Sequence, residues 1–245
     1  MQTQTVTTTK PSYKAVKNLL SDGSTNAKTS KNALKTYILY LAPSNLSGIN
    51  VCPYASPGCI LGCLNTAGLG IFSNVQLARI NKTLIFKNDR ANFYIQLANE
   101  LLKIQDKAIK TGEKIAIRLN GTSDIDHLDL LERYTGINFL DSFYSDLIFY
   151  DYTKNPNHIK KYLNTNYKLT FSRSEINDDK VLEILNAGGN VAIVFKNELP
   201  ATYFGYPVIN GDETDLRYFD PKNVIIGLKA KGKAKKDSSG FVINN

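Results

Sequence analysis

Residues 147–151 read Leu-Ile-Phe-Tyr-Asp, an apolar run that ends on a carboxylate, and the chain on either side repeats the theme. The run is too short for a helix and lacks polar alternation, so it predicts a strand buried on both faces. A helical stretch over 157–163 follows, then a strand run at 168–171, a helix over 178–186 closed by Gly188-Gly189, and Val-Ala-Ile-Val-Phe at 191–195. Upstream, 36–41 and 115–119 read as strands, with helices predicted over 74–80 and 89–110 between them. The longer helix lines up Phe93, Leu97, Leu101 and Ile104 on one face and stops at Thr111-Gly112. Another helix is expected over 125–134, capped by Asp124 or Ser123, and the runs 206–209 and 224–228 read as strands. Apolar strands separated by helices of about ten residues mark βαβ units and a parallel sheet. The expected fold is therefore α/β, a partial or complete (β/α) barrel of mostly parallel strands. An open doubly wound sheet is the alternative.

Within 245 residues, 42% hydrophobic and 21% charged, there is enough apolar material for a sizeable core. Residues 1–35 are rich in Thr, Ser, Lys and Asn and read as a polar N-terminal extension, leaving 36–245 as a single α/β domain. Met1–Lys10 has no apolar centre, so it does not read as a secretory signal, and no run is long enough to cross a bilayer. A cytoplasmic protein with no membrane partner is expected. The formal charge of +8 suits an anionic partner, but Lys229, Lys231, Lys233, Lys235 and Lys236 supply much of it in one run without interleaved aromatics. That run, Lys229–Lys236, makes only a weak case for nucleic acid and reads first as a solvated tail.

The three cysteines are more informative. Cys52, Cys59 and Cys63 are the whole cysteine content and lie in the stretch CPYASPGCILGC, a C-x6-C-x3-C spacing in the loop after the first expected strand. A clustered odd number argues for metal chemistry rather than a disulfide framework. Glycine and proline beside the cysteines let the backbone curl so that thiolates converge, and a metal centre explains so long a loop (44–70) in a compact domain. A structural zinc site wants four ligands, and only His127 and His158 are available as histidine donors. Three thiolates suit a 4Fe-4S cluster better, since its fourth iron can stay open for a ligand. Zinc remains the alternative.

In parallel α/β folds, ligands gather where strands end, and here those ends are polar: RLNGTSD at 118–124, YDYTK at 150–154, SRSE at 172–175 and KNE at 196–198. The cysteine loop would share that rim. A further cluster, Gly211–Asp220, packs Asp212, Glu213, Asp215 and Asp220 with Arg217. It reads first as a solvated turn with an internal ion pair, and otherwise as a site for a cationic or hydroxyl-rich group or a divalent ion. A Ser/His/Asp hydrolase is not indicated, for there is no nucleophile elbow.

With these residues in view, the chain resembles the bacteriophage family known as gene product eighty-eight. The likeness rests on Leu41-Ala42-Pro43, the cysteine segment, Ala78-Arg79 with Lys82-Thr83, RLNGTSDI at 118–125, YDYTK at 150–154, and the stretches 190–195, 211–217 and 227–237. That resemblance implies the cytoplasm of an infected bacterial host. More distantly, the order strand, cysteine loop, helices, alternating strands is similar to the radical S-adenosylmethionine enzymes, although those use C-x3-C-x2-C. The resemblance implies an iron–sulfur enzyme acting on a small-molecule or nucleotide-related anionic substrate. Cys52, Cys59 and Cys63 would be the metal ligands. Asn120, Gly121, Thr122, Ser123 and Ser172 would contact S-adenosylmethionine, and Asp124, Asp151, Lys154 and Arg173 would be catalytic. The alternative is a non-catalytic, zinc- or cluster-stabilised nucleic-acid-binding protein.

Overall fold

Seven strands run parallel in the computed structural model, which describes residues 14–25 and 34–244. They are β2 (Thr36–Leu39), β3 (Ile115–Arg118), β4 (Leu147–Thr153), β5 (Lys168–Ser172), β6 (Asn190–Phe195), β8 (Tyr206–Asn210) and β9 (Ile225–Lys229), and their spatial order is β2-β3-β4-β5-β6-β9-β8. A short strand β1 (Leu20–Asp22) lies antiparallel on β2 at one edge, and β7 (Thr202–Tyr203) lies antiparallel on β8 at the other. Near the C-terminus, β10 (Val242–Ile243) pairs parallel with β6. The helices are α1 (Ser44–Ser47), α2 (Pro57–Leu61), α3 (Ser73–Asn88), α4 (Arg90–Thr111), α5 (His127–Thr135), α6 (Pro156–Tyr162) and α7 (Asp178–Asn186).

The order β2 to β6 never reverses. Right-handed crossovers taken repeatedly in one direction put every crossover helix on the same face, whereas a doubly wound sheet needs a reversal. Packing agrees with that reasoning. Ile115, Ile117 and Phe149 bury against Phe93, Leu97 and Leu101 of α4 and Leu131 of α5. Phe171, Val191 and Ile193 bury against Ile159 of α6 and Val181, Ile184 and Leu185 of α7. Each such side chain contributes about 1.5–3 kcal/mol by leaving water. The winding is that of a (β/α) barrel, but the sheet stays open between β1 and β7, so the barrel expected from the sequence does not close.

The opposite face carries Ala116, Tyr150, Ala192 and Ile226, and among the described residues none of α1 to α7 packs on it. Leu216 packs on Ala116 and Tyr150 there, bringing the acidic segment 211–220 against the sheet. The solvated turn expected for that segment is thus corrected. Asp215 is buried and paired with Arg118 at 2.8 Å, and Arg217 is buried with Asp220 3.2 Å away. Local composition could not reveal that the sheet face beneath it offers Arg118 and Tyr150 as partners.

Other differences have similar causes. Residues 19–22 were read within a polar extension, but Leu19 and Leu20 are buried. The Glu100 carboxylate of α4 accepts the N–H groups of both leucines at 2.7 and 2.8 Å, and Lys82 donates to the Leu19 carbonyl at 2.6 Å. The strand before the cysteines is consequently the second described one, not the first. Of the rest of the expected polar extension, residues 1–13 and 26–33 lie outside the described residues. Helix α5 is capped by Asp126, whose side chain accepts the Asp129 N–H, rather than by Ser123 or Asp124.

Candidate metal centre at the strand ends

Between β2 and α3 the chain forms two short helices and two 3-10 turns, Leu64–Thr66 and Gly68–Ile71, rather than a plain loop. Each cysteine sits on a different piece of it. Cys52 precedes α2, with its N–H bonded to the Asn50 side chain at 2.9 Å and its Sγ 3.8 Å from the Thr122 carbonyl. Cys59 lies in α2, which has Pro57 in its first turn and Ser56 as its cap, accepting the Cys59 N–H. Cys63 leads into the turn Leu64–Thr66, and its carbonyl accepts the Thr66 hydroxyl at 2.8 Å.

All three thiols are free and half-buried. They lie near enough for each to act on the others electrostatically. Burial pushes the Cys52 thiol up to about 12, with Asp124, Cys63 and Cys59 adding to the rise and Lys154 opposing it. Burial likewise raises Cys63, with Cys59 adding and Arg79 and Lys154 opposing. Arg79 stacks on Tyr40, 4.5 Å from its ring centre, and donates to the Asn65 side chain at 2.7 Å, while its buried Nε has no hydrogen-bond partner. Lys154 lies over the Phe241 ring at 5.7 Å. Burial thus holds Cys52 and Cys63 in the neutral thiol form, and the nearby cations Arg79 and Lys154 offset only part of that cost.

The neighbouring strand ends hold this arrangement in place. Glu175, just past β5, accepts the Ser56 hydroxyl and the Gly58 N–H, both at 2.7 Å, and so fixes the start of α2. A side chain at Gly58 would meet Ser239 Oγ at 2.2 Å and Phe241 Cβ at 2.7 Å, so glycine lets the C-terminal segment close over this helix. Residues 230–242 pack Ala230, Ala234, Phe241 and Val242 against Cys59. Lys229–Lys236 is consequently no solvated tail. It includes a 3-10 turn, Gly232–Lys236, that abuts the turn Leu64–Thr66, with its lysines turned outward.

The RLNGTSD stretch is placed beside the thiols, but its polar atoms are engaged. Asn120 Oδ1 accepts from the Ser123 hydroxyl at 2.8 Å and the Ile125 N–H at 3.0 Å, closing a turn. Thr122 donates to the Leu41 carbonyl at 2.6 Å, and the Gly121 N–H bonds to Leu39 at 2.9 Å. A Cβ on Gly121 would stand 2.5 Å from the Tyr40 ring, the ring on which Arg79 lies. Asp124 accepts the Thr153 hydroxyl at 2.7 Å and the Lys154 N–H at 2.8 Å, while its own N–H reaches Val51 at 2.8 Å.

Asp151 is buried completely. It accepts the N–H groups of Leu119 and Asn120 at 3.0 and 2.8 Å and the Tyr167 hydroxyl at 2.8 Å, and burial pushes its carboxyl up to about 7. Arg173 is tied to Asp178 at 2.5 Å and to the Gly240 and Phe241 carbonyls, which anchors the C-terminal segment. Of the residues given catalytic or cofactor roles from sequence, Asn120, Thr122, Ser123, Asp124, Asp151 and Arg173 thus hold the frame. Of the four catalytic candidates, Asp124 and Lys154 act on the thiols electrostatically, with opposite signs at Cys52, and Ser172 lies on the sheet face that carries Tyr150. Arg79, Tyr40, Glu175 and Phe241 were given no role by sequence reasoning. Glu175 was marked only as part of the polar strand end at 172–175 and Arg79 only by the family likeness, and neither signal announces its partners at the cysteine segment.

Among the described residues no three His, Cys, Asp or Glu side chains are set to hold a single metal ion. His127 is fully buried, with Nδ1 3.0 Å from the Tyr94 hydroxyl and its ring against Phe93, and burial lowers it to about 3. His158 faces Asp126. Neither histidine completes a zinc site with the cysteines. Two clefts lie elsewhere, one at the N-terminal ends of β3 to β5 beside Phe139 and Tyr144, the other between Val16–Asn18 and α4.

Fold and site together define an open, singly wound α/β protein with a cysteine triplet at its strand ends. The chain belongs to the Gene product 88 family, whose model matches residues 17–245 and so includes β1. No curated protein and no solved structure matches it. Among the described residues no helix is long and apolar enough to cross a membrane.

Proposed function

We propose that the protein is an iron–sulfur protein in which Cys52, Cys59 and Cys63 hold one 4Fe-4S cluster, and that it is a radical S-adenosylmethionine-like enzyme acting on an anionic, nucleotide-related substrate. The observation that carries this reading is the meeting of three half-buried thiols with Arg79 and Lys154 at the C-terminal ends of parallel strands. Tetrahedral zinc, with Zn–S bonds of about 2.3 Å, draws its ligands onto one point. Three clustered cysteines without a fourth protein ligand suit a cluster that leaves one iron open better than four-coordinate zinc. When bound, such a cluster supplies one-electron chemistry and an open iron for an amino and carboxylate ligand such as S-adenosylmethionine.

The chain's own residues then divide the remaining work. Arg79 and Lys154 balance the thiolate charge and favour an anionic ligand over a cationic one. Tyr40, Phe241 and the C-terminal segment limit water around them. Asp124 carries no proton to or from substrate in this reading. It sets the height of Lys154 by holding that residue's N–H.

Anaerobic purification tests the proposal. Brown protein with matching iron and acid-labile sulfide is expected, and each of Cys52→Ala, Cys59→Ala and Cys63→Ala should lose the colour. Colourless protein carrying stoichiometric zinc would sink the cluster. Iron-loaded protein that releases no 5′-deoxyadenosine from S-adenosylmethionine under reduction would remove the radical enzyme and leave the cluster.

A further inference from the structure

The segment that carries the cysteines also presents a run of exposed apolar side chains, the longest among the described residues. Leu61, Leu64, Leu69, Ile71, Phe72 and Leu77 are each between 47% and 66% exposed. They are contiguous in space as well as sequence. The turn Leu64–Thr66 packs on the turn Gly68–Ile71, which packs on the start of α3. Monomeric proteins seldom leave such a patch without a use for it.

Charge defines the occupant. No Asp or Glu occurs between Asp22 and Asp89, so the patch carries no acidic residue of its own. On one side it meets the turn Gly232–Lys236. A Cβ at Gly232 would lie 3.0 Å from Thr66 Oγ1, and one at Gly62 would lie 3.2 Å from Ala234 Cβ. Lys233, Lys235 and Lys236, all exposed, thus lie in a turn that adjoins the Gly62–Thr66 edge of the patch. A bilayer would ask for positive charge around the whole patch, whereas the Ile71–Leu77 end is bordered by neutral Ser73, Asn74 and Gln76. One-sided charge beside an apolar contact orients a protein.

We propose that this face docks a small acidic electron-carrier protein, an inference that rests on the iron–sulfur reading. Leu61 and Leu64 flank Cys63 directly, so a protein seated here is held against the thiol site. The modest patch, with lysines along one flank, suits the weak, electrostatically steered encounters typical of redox partners, which bury less than about 1,200 Å².

An oxidised bacterial flavodoxin, an acidic flavin protein, is a suitable probe because no electron need pass for binding to be read. Calorimetry at low and high salt should find binding by the wild type that weakens about tenfold or more as salt rises. The pair Leu61→Ser with Leu64→Ser should weaken it about tenfold, as should Lys233→Glu with Lys235→Glu and Lys236→Glu. All variants should keep the wild-type iron content. An iron-loaded wild type that ignores flavodoxin, or variants that bind as well as the wild type, would overturn the docking site alone. Iron-free wild-type protein would instead overturn the cluster reading and with it the reason for a carrier. Anionic phosphatidylglycerol vesicles captured by the wild type and lost by both variants would give the face to lipid. Dimerisation abolished by the leucine pair would give it to a second copy.

Discussion

Two polar segments lie side by side at the strand ends, the RLNGTSD loop after β3 and the cysteine segment after β2, and they differ in how their polar atoms are used. In the first, Asn120, Thr122, Ser123 and Asp124 bond to neighbouring backbone and side chains, tying together the ends of β2, β3 and β4. In the second, the three thiols remain free and half-buried while the surrounding backbone and Glu175 hold them in place. A polar strand end by itself therefore does not mark chemistry. What marks it is a cluster of reactive thiols, none in a disulfide, inside a frame whose other polar groups are satisfied.

The sharpest way to break this contrast is to exchange the expected losses. Asp151→Ala removes the acceptor of three buried donors and leaves Arg118 less well compensated, so it should cost about 3–5 kcal/mol of stability in urea unfolding. Cys52→Ala should lose the metal while the metal-free forms of variant and wild type unfold alike. An Asp151 variant as stable as the wild type would mean that the loop is not the frame.

Next in size is a pair of opposed pH effects. His127 is held near 3 when folded but titrates near 6.5 when unfolded. Between those values the unfolded chain binds more protons, so this group makes stability fall as pH drops from 6.5 towards 3, by up to about 5 kcal/mol. Asp151 runs the other way. Its folded carboxyl is raised from 3.8 to about 7, so the folded state binds the extra proton and stability falls as pH rises through that window. The two contributions offset each other between about pH 4 and 6.5. Relative to the wild type, His127→Phe should gain stability at pH 5 over pH 8, and Asp151→Asn should gain at pH 8 over pH 5. Parallel pH profiles for both variants would refute the assignment.

Gly121→Ala places a methyl group against the Tyr40 ring and should cost about 1–3 kcal/mol. If Tyr40 shifts, Arg79 shifts with it, so bound iron should fall as well. The smallest effect belongs to Glu175→Gln, which keeps one acceptor for Gly58 and should cost about 1 kcal/mol while speeding iron loss to a chelator.

The strands at 147–151, 168–171 and 191–195 were readable because burial on both faces leaves continuous apolar runs, and α4 and α7 because their apolar faces repeat at helical spacing. The cysteine triplet was readable because its spacing is local. Roles at the rim were not. Asp124 and Arg173 were legible as polar strand-end residues, but their partners some 30 to 70 positions away, Thr153 and Lys154 for one and Gly240 and Phe241 for the other, were not.

The amino-acid sequence by itself thus determined the α/β class, the parallel strands and the three thiols, because periodicity and short spacing are local properties. Tertiary structure alone decided that the sheet stays open, that segment 211–220 covers its second face, and that Arg79, Lys154 and Glu175 meet at the cysteines. Those outcomes depend on which distant groups satisfy one another's charge and hydrogen bonds once water is excluded, and no local pattern encodes that choice.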